Sequence, residues 1–156
     1  MEVGIDGVVI KKVKKFTDER GWLFEIFRHD EMAKDIYPVM SYLSMTHQNV
    51  VRGPHEHTYQ TDYFCFLGTS SFKLFLWDNR KDSKTFRLKT TIVFAEDEPV
   101  IALVPPGVVH AYKNIGKAPG LVLNYPNQLF AGPGKKHQID EIRHEENADE
   151  RFVIDD

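Results

Sequence analysis

Short apolar runs separated by turn-forming clusters recur along this chain, and several alternate with the two-residue period of a β-strand. Residues 7–13 (GVVIKKV) form a first short strand. TDERGW at 17–22 reads as a turn, and WLFEIF at 22–27 as the next strand, with Leu23, Glu25 and Phe27 on one side and Trp22, Phe24 and Ile26 on the other. Asp30 is placed to N-cap one short helix, DEMAKDI, which Pro38 keeps from extending. VMSYLSMT (39–46) is strand-like. Residues 63–67 and 72–77 are apolar on both faces, as expected of strands covered on two sides, with GTSS between them as a hairpin turn. A loop at 78–84 leads to TFRLKTTIVF (85–94), and EDEP (96–99) ends that run. VIALV (100–104), the strand after the PPG turn and GLVLNY (120–125) complete a series that predicts an all-β sandwich or barrel.

From Phe130 onward the chain changes character: AGPGKK is flexible and IDEIRHEENADERF is highly charged, a solvated tail tacked down by Ile139, Ile142 and Phe152. At 156 residues the chain is sized for one domain, with a core over about 7–127 and a tail over 128–156. A hydrophobic fraction of 42% is ordinary for a globular protein, and the net charge of −3 argues against a nucleic-acid or membrane-surface protein. It also means that any phosphate must be held by local arginines. The single cysteine, Cys65, allows no internal disulfide and reads as a small buried hydrophobe. With no charged-then-apolar leader and no run of membrane-span length, a cytoplasmic location is expected.

Candidate chemistry concentrates in RGPHEHTYQTDYFCFLG, residues 52–68. In an extended segment His55 and His57 share a face and Glu56 points the other way. Two imidazoles on one face suit a base with its helper or half of a metal site; solvated surface histidines are the plainer reading. A second stretch, PPGVVHAYKN (105–114), is a Pro-x-Gly turn followed by His110 and Asn114. Alone, His110 reads as a core histidine bonded to a backbone carbonyl.

Together these stretches resemble the signatures of the cupin superfamily. PxGxxHxxxN is filled at every specified position, and the HxH pair is followed by Asp62 where a glutamate is usual. The resemblance implies a cupin-type double-stranded β-helix, a jelly-roll barrel, with the three histidines converging inside it. Four stretches in order, DERGWLFE (18–25), VVRGPHEH (50–57), DNRKDSKTF (78–86) and VPPGVVHAY (104–112), are similar to the dTDP-4-dehydrorhamnose 3,5-epimerase family of cupins. The tail segment IDEIRHEE resembles the family's late D-x-x-I-x-W, with His144 at the tryptophan.

That resemblance implies an isomerase or epimerase acting on a nucleotide-diphosphate 4-keto-6-deoxy sugar in deoxysugar or polysaccharide biosynthesis, working as a homodimer without a metal. It places the catalytic base at His55, its orienting carboxylate at Asp140 and the proton donor at Tyr125, with Asn124 competing for that column. Arg52 falls on a contact to the diphosphate or sugar; Arg20 and Glu25 fall on positions that bind a neighbouring subunit's nucleotide; His57 and His110 would line the substrate site. The chain departs from the family in having no lysine at 61–65, where the family's lysine would fall; Lys73, on the next strand, has unknown facing. R-G-x-H-x-H is instead similar to sugar 3,4-ketoisomerases. Two alternatives stay open: a metal-dependent cupin, with His55, His57, His110 and Asp62 holding zinc or another divalent ion, and a binding cupin without catalysis. The first needs a bulge near Thr58 and Tyr59, because Asp62 has the wrong parity on an unbroken strand. His29, His47, His137 and His144 read as surface residues, Tyr59, Tyr63, Phe64 and Phe66 chiefly as core, and KKVKK (11–15) as a solvated strand face.

Overall fold

Alternation along the central strands decides which side chains meet in the interior. In the computed structural model, which describes residues 3–146 and 150–154, the strands are β1 (Val9–Lys12), β2 (Phe16–Asp18), β3 (Gly21–Leu23), β4 (Tyr42–Thr46), β5 (Val51–Glu56), β6 (Asp62–Phe66), β7 (Phe72–Asp78), β8 (Lys89–Phe94), β9 (Val100–Val104), β10 (Val108–Asn114), β11 (Gly120–Asn124) and β12 (Ile142–Arg143). One sheet has the order β1-β9-β6-β11-β4 and the other β12-β5-β10-β7-β8, while β2 and β3 form a separate ribbon. The pairings within both sheets are antiparallel, and the two sheets close into a jelly-roll barrel. Among the described residues no helix is long and apolar enough to cross a membrane.

Side chains at alternate positions of both sheets fill the barrel: Phe64 and Phe66 from β6, Phe72, Leu74 and Leu76 from β7, Val100, Ala102 and Val104 from β9, and Val122 from β11. The intervening residues Phe75 and Trp77 of β7, with Val109 and Ala111 of β10, face outward and are covered by Phe152 of the tail. This explains why residues 72–77 are apolar on both faces: one face builds the interior, the other receives the chain's end. Ile139 and Ile142 remain 45% and 44% exposed, so Phe152 does the tacking. Cys65 is fully buried, which pushes its thiol up to about 12.

The DNRKDSKTF loop owes its sequence to one carboxylate. Asp78, 2% exposed, accepts from Nε (2.8 Å) and the backbone N–H (3.0 Å) of Arg80 and from Oγ1 of Thr85 (2.6 Å). Arg80 also donates to the Asp6 carbonyl, tying the N-terminal segment to the loop. Because this turn absorbs residues 85–88, with Arg87 at φ 69°, strand β8 begins at Lys89 rather than at 85.

The N-terminal half differs from expectation. No helix forms over DEMAKDI; two 3-10 turns, His29–Glu31 and Lys34–Ile36, occupy the segment. The Asp30 carboxylate is engaged by the Arg28 guanidinium instead of capping a helix, and the backbone is extended at Met32. The strand expected over 22–27 stops at Leu23, because the following residues lie across the outer sheet face, where Tyr63 Oη donates to the Ile26 carbonyl and Phe27 packs on Tyr63 and Tyr125.

Burial works to raise the pKa of Asp78, but hydrogen bonds from Arg80, Ser83 and Thr85 outweigh it and hold the carboxyl well below its ordinary value. Its stabilisation is therefore present above the usual carboxylate range and is lost as pH falls through the depressed folded value. Asp78→Asn is expected to lower unfolding free energy at pH 7 by about 3 kcal/mol, and to flatten the acid dependence of the urea midpoint relative to the parent protein.

Candidate active site

Strand geometry delivers the histidines to one place. His55 on β5 is the cross-strand partner of His110 on β10, and their ring centroids are 4.4 Å apart. His57, two residues on, follows on the same face, with its ring 5.9 Å from His55 and 6.0 Å from His110. The Pro-x-Gly turn is fastened to the HxH segment directly, since the Gly107 N–H donates to the His57 carbonyl (2.8 Å). Gly53 lets β5 come this close to β10: at φ +87° it holds a position where a Cβ would lie 2.6 Å from the His110 carbonyl oxygen. The nitrogens of His55, His57 and His110 lie within 4.8 Å of one another.

Asp62 completes the cluster. The chain leaves β5 at Glu56, turns through Thr58–Gln60 and enters β6 at Asp62, so a strand change, not a bulge, supplies the inward facing. Its Oδ2 lies 3.2 Å from Nε2 of both His57 and His110, while Oδ1 accepts from the amides of Gln60 (2.8 Å) and Asn124 (2.7 Å). The Nδ1–H of His110 donates to the Val108 carbonyl (3.0 Å) and the Nδ1–H of His57 to the Asp140 carbonyl. Both rings therefore turn Nε2 toward one buried carboxylate oxygen. Oδ2 of Asp62 and Nε2 of His110 are fully buried without a well-aligned hydrogen bond.

The electrostatics follow from this core. Burial would raise Asp62, but hydrogen bonds and charge from His110 and His57 hold it far below its ordinary value. Burial would lower His57, yet the hydrogen bond and charge of Asp62 win and push it up to about 9. His55 is pushed down to about 2 by burial and by repulsion from His110, with Asp62 opposing. Its imidazole is therefore neutral across the physiological range.

A cavity of 480 Å³ opens in front of His55, walled by Arg52, Phe64, Tyr42, Tyr112 and, from the tail, Glu141 and Arg143. Arg52 spans the two sheets, donating from Nε to Thr46 Oγ1 (3.0 Å) and from Nη2 to the Met45 carbonyl (2.9 Å). Strand β12 adds to the edge of β5 with Arg143 opposite His55, which brings the tail to the cavity rim.

Several expected roles change. Tyr125 does not face the histidines: Asn124 takes the inward position at the end of β11, and Tyr125 packs outside the barrel on Phe27 and Tyr63. Asp140 does not orient His55. Its carboxylate accepts the backbone N–H groups of Thr58 (2.8 Å), Tyr59 (2.9 Å) and Gln60 (2.9 Å), which outweigh burial and lower its pKa, so it shapes the turn between His57 and Asp62. Lys73 shares the outer face with Phe75 and lies over that ring, so it supplies no charge to the cavity. Arg20 and Glu25 sit on the exposed N-terminal segment, paired with Asp18 and Arg28, and do not line this cavity. His144 is buried rather than exposed: on the outer face it donates to Glu56 (3.0 Å), which also accepts from Asn79 (2.8 Å), and this pair anchors the tail. His29, His47 and His137 are exposed as expected.

The residues not foreseen are Tyr42, Tyr112, Gln60, Glu141 and Arg143. For Tyr42 a signal exists: Y-x-S-x-T in β4 puts Tyr42, Ser44 and Thr46 on one face, and that polar face turns inward while Leu43 and Met45 are 57% and 45% exposed. An apolar-in reading of the strand points the wrong way because β4 lines a wet cavity.

A family model described as dTDP-4-dehydrorhamnose 3,5-epimerase matches residues 2–132. The chain is similar to the spore coat polysaccharide biosynthesis protein SpsL of Bacillus subtilis (34% identical over 126 residues, 81% of this chain and 82% of that one). It is also similar to the probable low-salt glycan biosynthesis epimerase Agl13 of Haloferax volcanii (37% over 128 residues, 81% of each). A solved dTDP sugar isomerase from Desulfovibrio desulfuricans G20 shares the fold at a TM-score of 0.85 and 18% identity, covering 99% of this chain and 94% of that one.

A substitution separates a shaping role for Asp140 from a catalytic one. Asp140→Asn is expected to cost about 1–2 kcal/mol of stability, read as a lower denaturation midpoint, while the acid limb of the pH–rate profile stays in place. A displaced acid limb would return Asp140 to the part of His55's partner.

Proposed function

The chain belongs to the dTDP-4-dehydrorhamnose 3,5-epimerase family and is a sugar-nucleotide epimerase, and we propose that it inverts a carbon beside the ketone of a nucleotide-diphosphate 4-keto-6-deoxy sugar with His55 as the base. The observation that carries this reading is the imidazole of His55 at the wall of an arginine-rimmed cavity. His55 takes the proton next to the carbonyl, and the resulting enolate needs a positive neighbour. With Lys73 outside the barrel, the cations that line the cavity with His55 are Arg52 and Arg143, and Arg52, on the same strand as His55, is the one placed for that task. Arg52 and Arg143 at the rim suit a diphosphate, which a chain of net charge −3 must attract locally.

In heavy water the protein incubated with such a sugar nucleotide is expected to place deuterium beside the ketone, as followed by proton NMR. His55→Asn should reduce that incorporation by roughly 10³-fold; no incorporation by the parent protein with any sugar nucleotide refutes the assignment.

A second reading is favoured by the buried Asp62 Oδ2 and His110 Nε2, which face each other at 3.2 Å and need a positive charge between or beside them. A divalent cation such as zinc would fit among His55, His57 and His110, with Asp62 beside two of the rings, because those two rings already have Nδ1 anchored on backbone carbonyls, the support that ligating histidines use. Such an ion would polarise the substrate carbonyl as a Lewis acid. Metal analysis of freshly purified protein decides between them: near-stoichiometric zinc, iron, nickel or manganese supports the second reading, and trace metal with full activity the first.

The ribbon of β2 and β3 suits a homodimer. It carries Arg20 at its turn and leaves Phe16, Trp22 and Leu23 50%, 52% and 60% exposed, an apolar blade that a second copy would cover. In that arrangement Arg20 and Glu25 reach the partner's nucleotide. Trp22→Glu is expected to convert the dimer to monomer in sedimentation velocity and to raise KM; a parent protein that is monomeric at micromolar concentration rules the arrangement out.

A further inference from the structure

The walls of the His55 cavity come from different sheets, and this limits what each can do to a sugar ring held between them. His55 stands on β5 of one sheet, whereas Tyr42 stands on β4, the edge strand of the other. Both line the same 480 Å³ cavity. A ring lying between the sheets presents one face to the imidazole and the opposite face to the phenol.

Burial and the charge of Asp62 push the phenol of Tyr42 up to about 12, with the Asn124 hydrogen bond opposing, so it keeps its proton until a stronger base, such as an enolate carbon, takes it. Tyr42 is the cross-strand partner of Asn124, whose Nδ2 donates to Tyr42 Oη (2.9 Å). The orientation of that amide is fixed, because Nδ2 also donates to Asp62 (2.7 Å) and Oδ1 accepts the Tyr63 N–H (3.1 Å). The phenol oxygen is thus an acceptor toward the protein and has its own hydrogen to direct elsewhere. The residue is 45% exposed and lines the cavity. The other tyrosine of the cavity, Tyr112, is 4% exposed and shares its hydroxyl with Ser44 (2.9 Å).

We propose that Tyr42 is the acid of the epimerisation, delivering a proton to the sugar carbon from the sheet opposite His55. The assignment rests on the reading of His55 as base. His55 accepts the proton from the carbon beside the ketone; the C–H electrons form the carbon–carbon double bond of the enolate and the carbonyl π pair moves onto oxygen. When the carbonyl reforms, the carbon takes the Tyr42 proton on its other face and the O–H electrons stay on the phenolate, which the Asn124 N–H stabilises. Water returns a proton to Tyr42 and accepts one from His55, so the product differs from the substrate only in configuration.

Tyr42→Phe keeps the ring and removes a hydroxyl at the cavity, and an unchanged melting temperature verifies the fold. With dTDP-4-keto-6-deoxyglucose in heavy water, the variant is expected to lose inversion by at least about 100-fold while exchange with retained configuration stays within about tenfold of the parent, because His55 can return a deuteron to the face it deprotonated. Tyr125→Phe, outside the barrel, should leave both rates unchanged. Inversion within threefold of the parent in Tyr42→Phe overturns the assignment. So does an equal fall in exchange and inversion, and so does loss of inversion in Tyr112→Phe alone. If the parent protein shows no exchange at all, the His55 reading fails and the assignment falls with it.

Discussion

A buried carboxylate ties the site together. Asp62 sits on β6 of one sheet and engages His57 and His110 from the other, with Asn124 and Gln60 closing its remaining oxygen. Stripping a charge of its buried partners is costly, about 3–5 kcal/mol, so the two sheets are held in register where the chemistry takes place. The same carboxylate divides the labour among three adjacent imidazoles: it makes His57 a cation, whereas His55, the ring it does not contact, stays neutral. Neighbouring residues of one type thereby take opposite charge states at one pH.

The convergence of His55, His57 and His110 is legible in the sequence because it depends on short-range rules: a two-residue period in β5, a Pro-x-Gly reversal before β10, and Gly53 where the strands approach. The barrel is legible for the same reason, as runs apolar on one or both faces fall between turn residues. The failures share a cause too. Choosing Tyr125 over Asn124 is a one-residue slip, and in a strand such a slip sends a side chain through the sheet to the other side. The missing helix at DEMAKDI depends on Arg28 capturing Asp30, a competition that spacing alone does not reveal.

Asp140 and His144 are lessons in tertiary context. Both lie in a charged stretch that reads as solvated, yet one caps the 58–60 turn and the other pairs with Glu56 beneath Phe152. Their hydrogen-bond partners lie eighty or more positions away along the chain. No local pattern encodes such contacts. The face of β4 is a related case: its polar residues turn inward because the interior there is a cavity, and the usual rule of apolar-in holds only where the interior is filled.

Strand β12 carries a further consequence. The barrel alone provides the imidazoles and Arg52, but Glu141 and Arg143 at the rim arrive on a strand added from the end of the chain and pinned behind β5 through His144 and Phe152. Part of the cavity rim is therefore supplied by a stretch of polypeptide outside the barrel, the same stretch whose Asp140 braces the turn between His57 and Asp62. Changes confined to Glu141 and Arg143 would reshape that rim while leaving His55, Arg52 and the turn held by Asp140 in place.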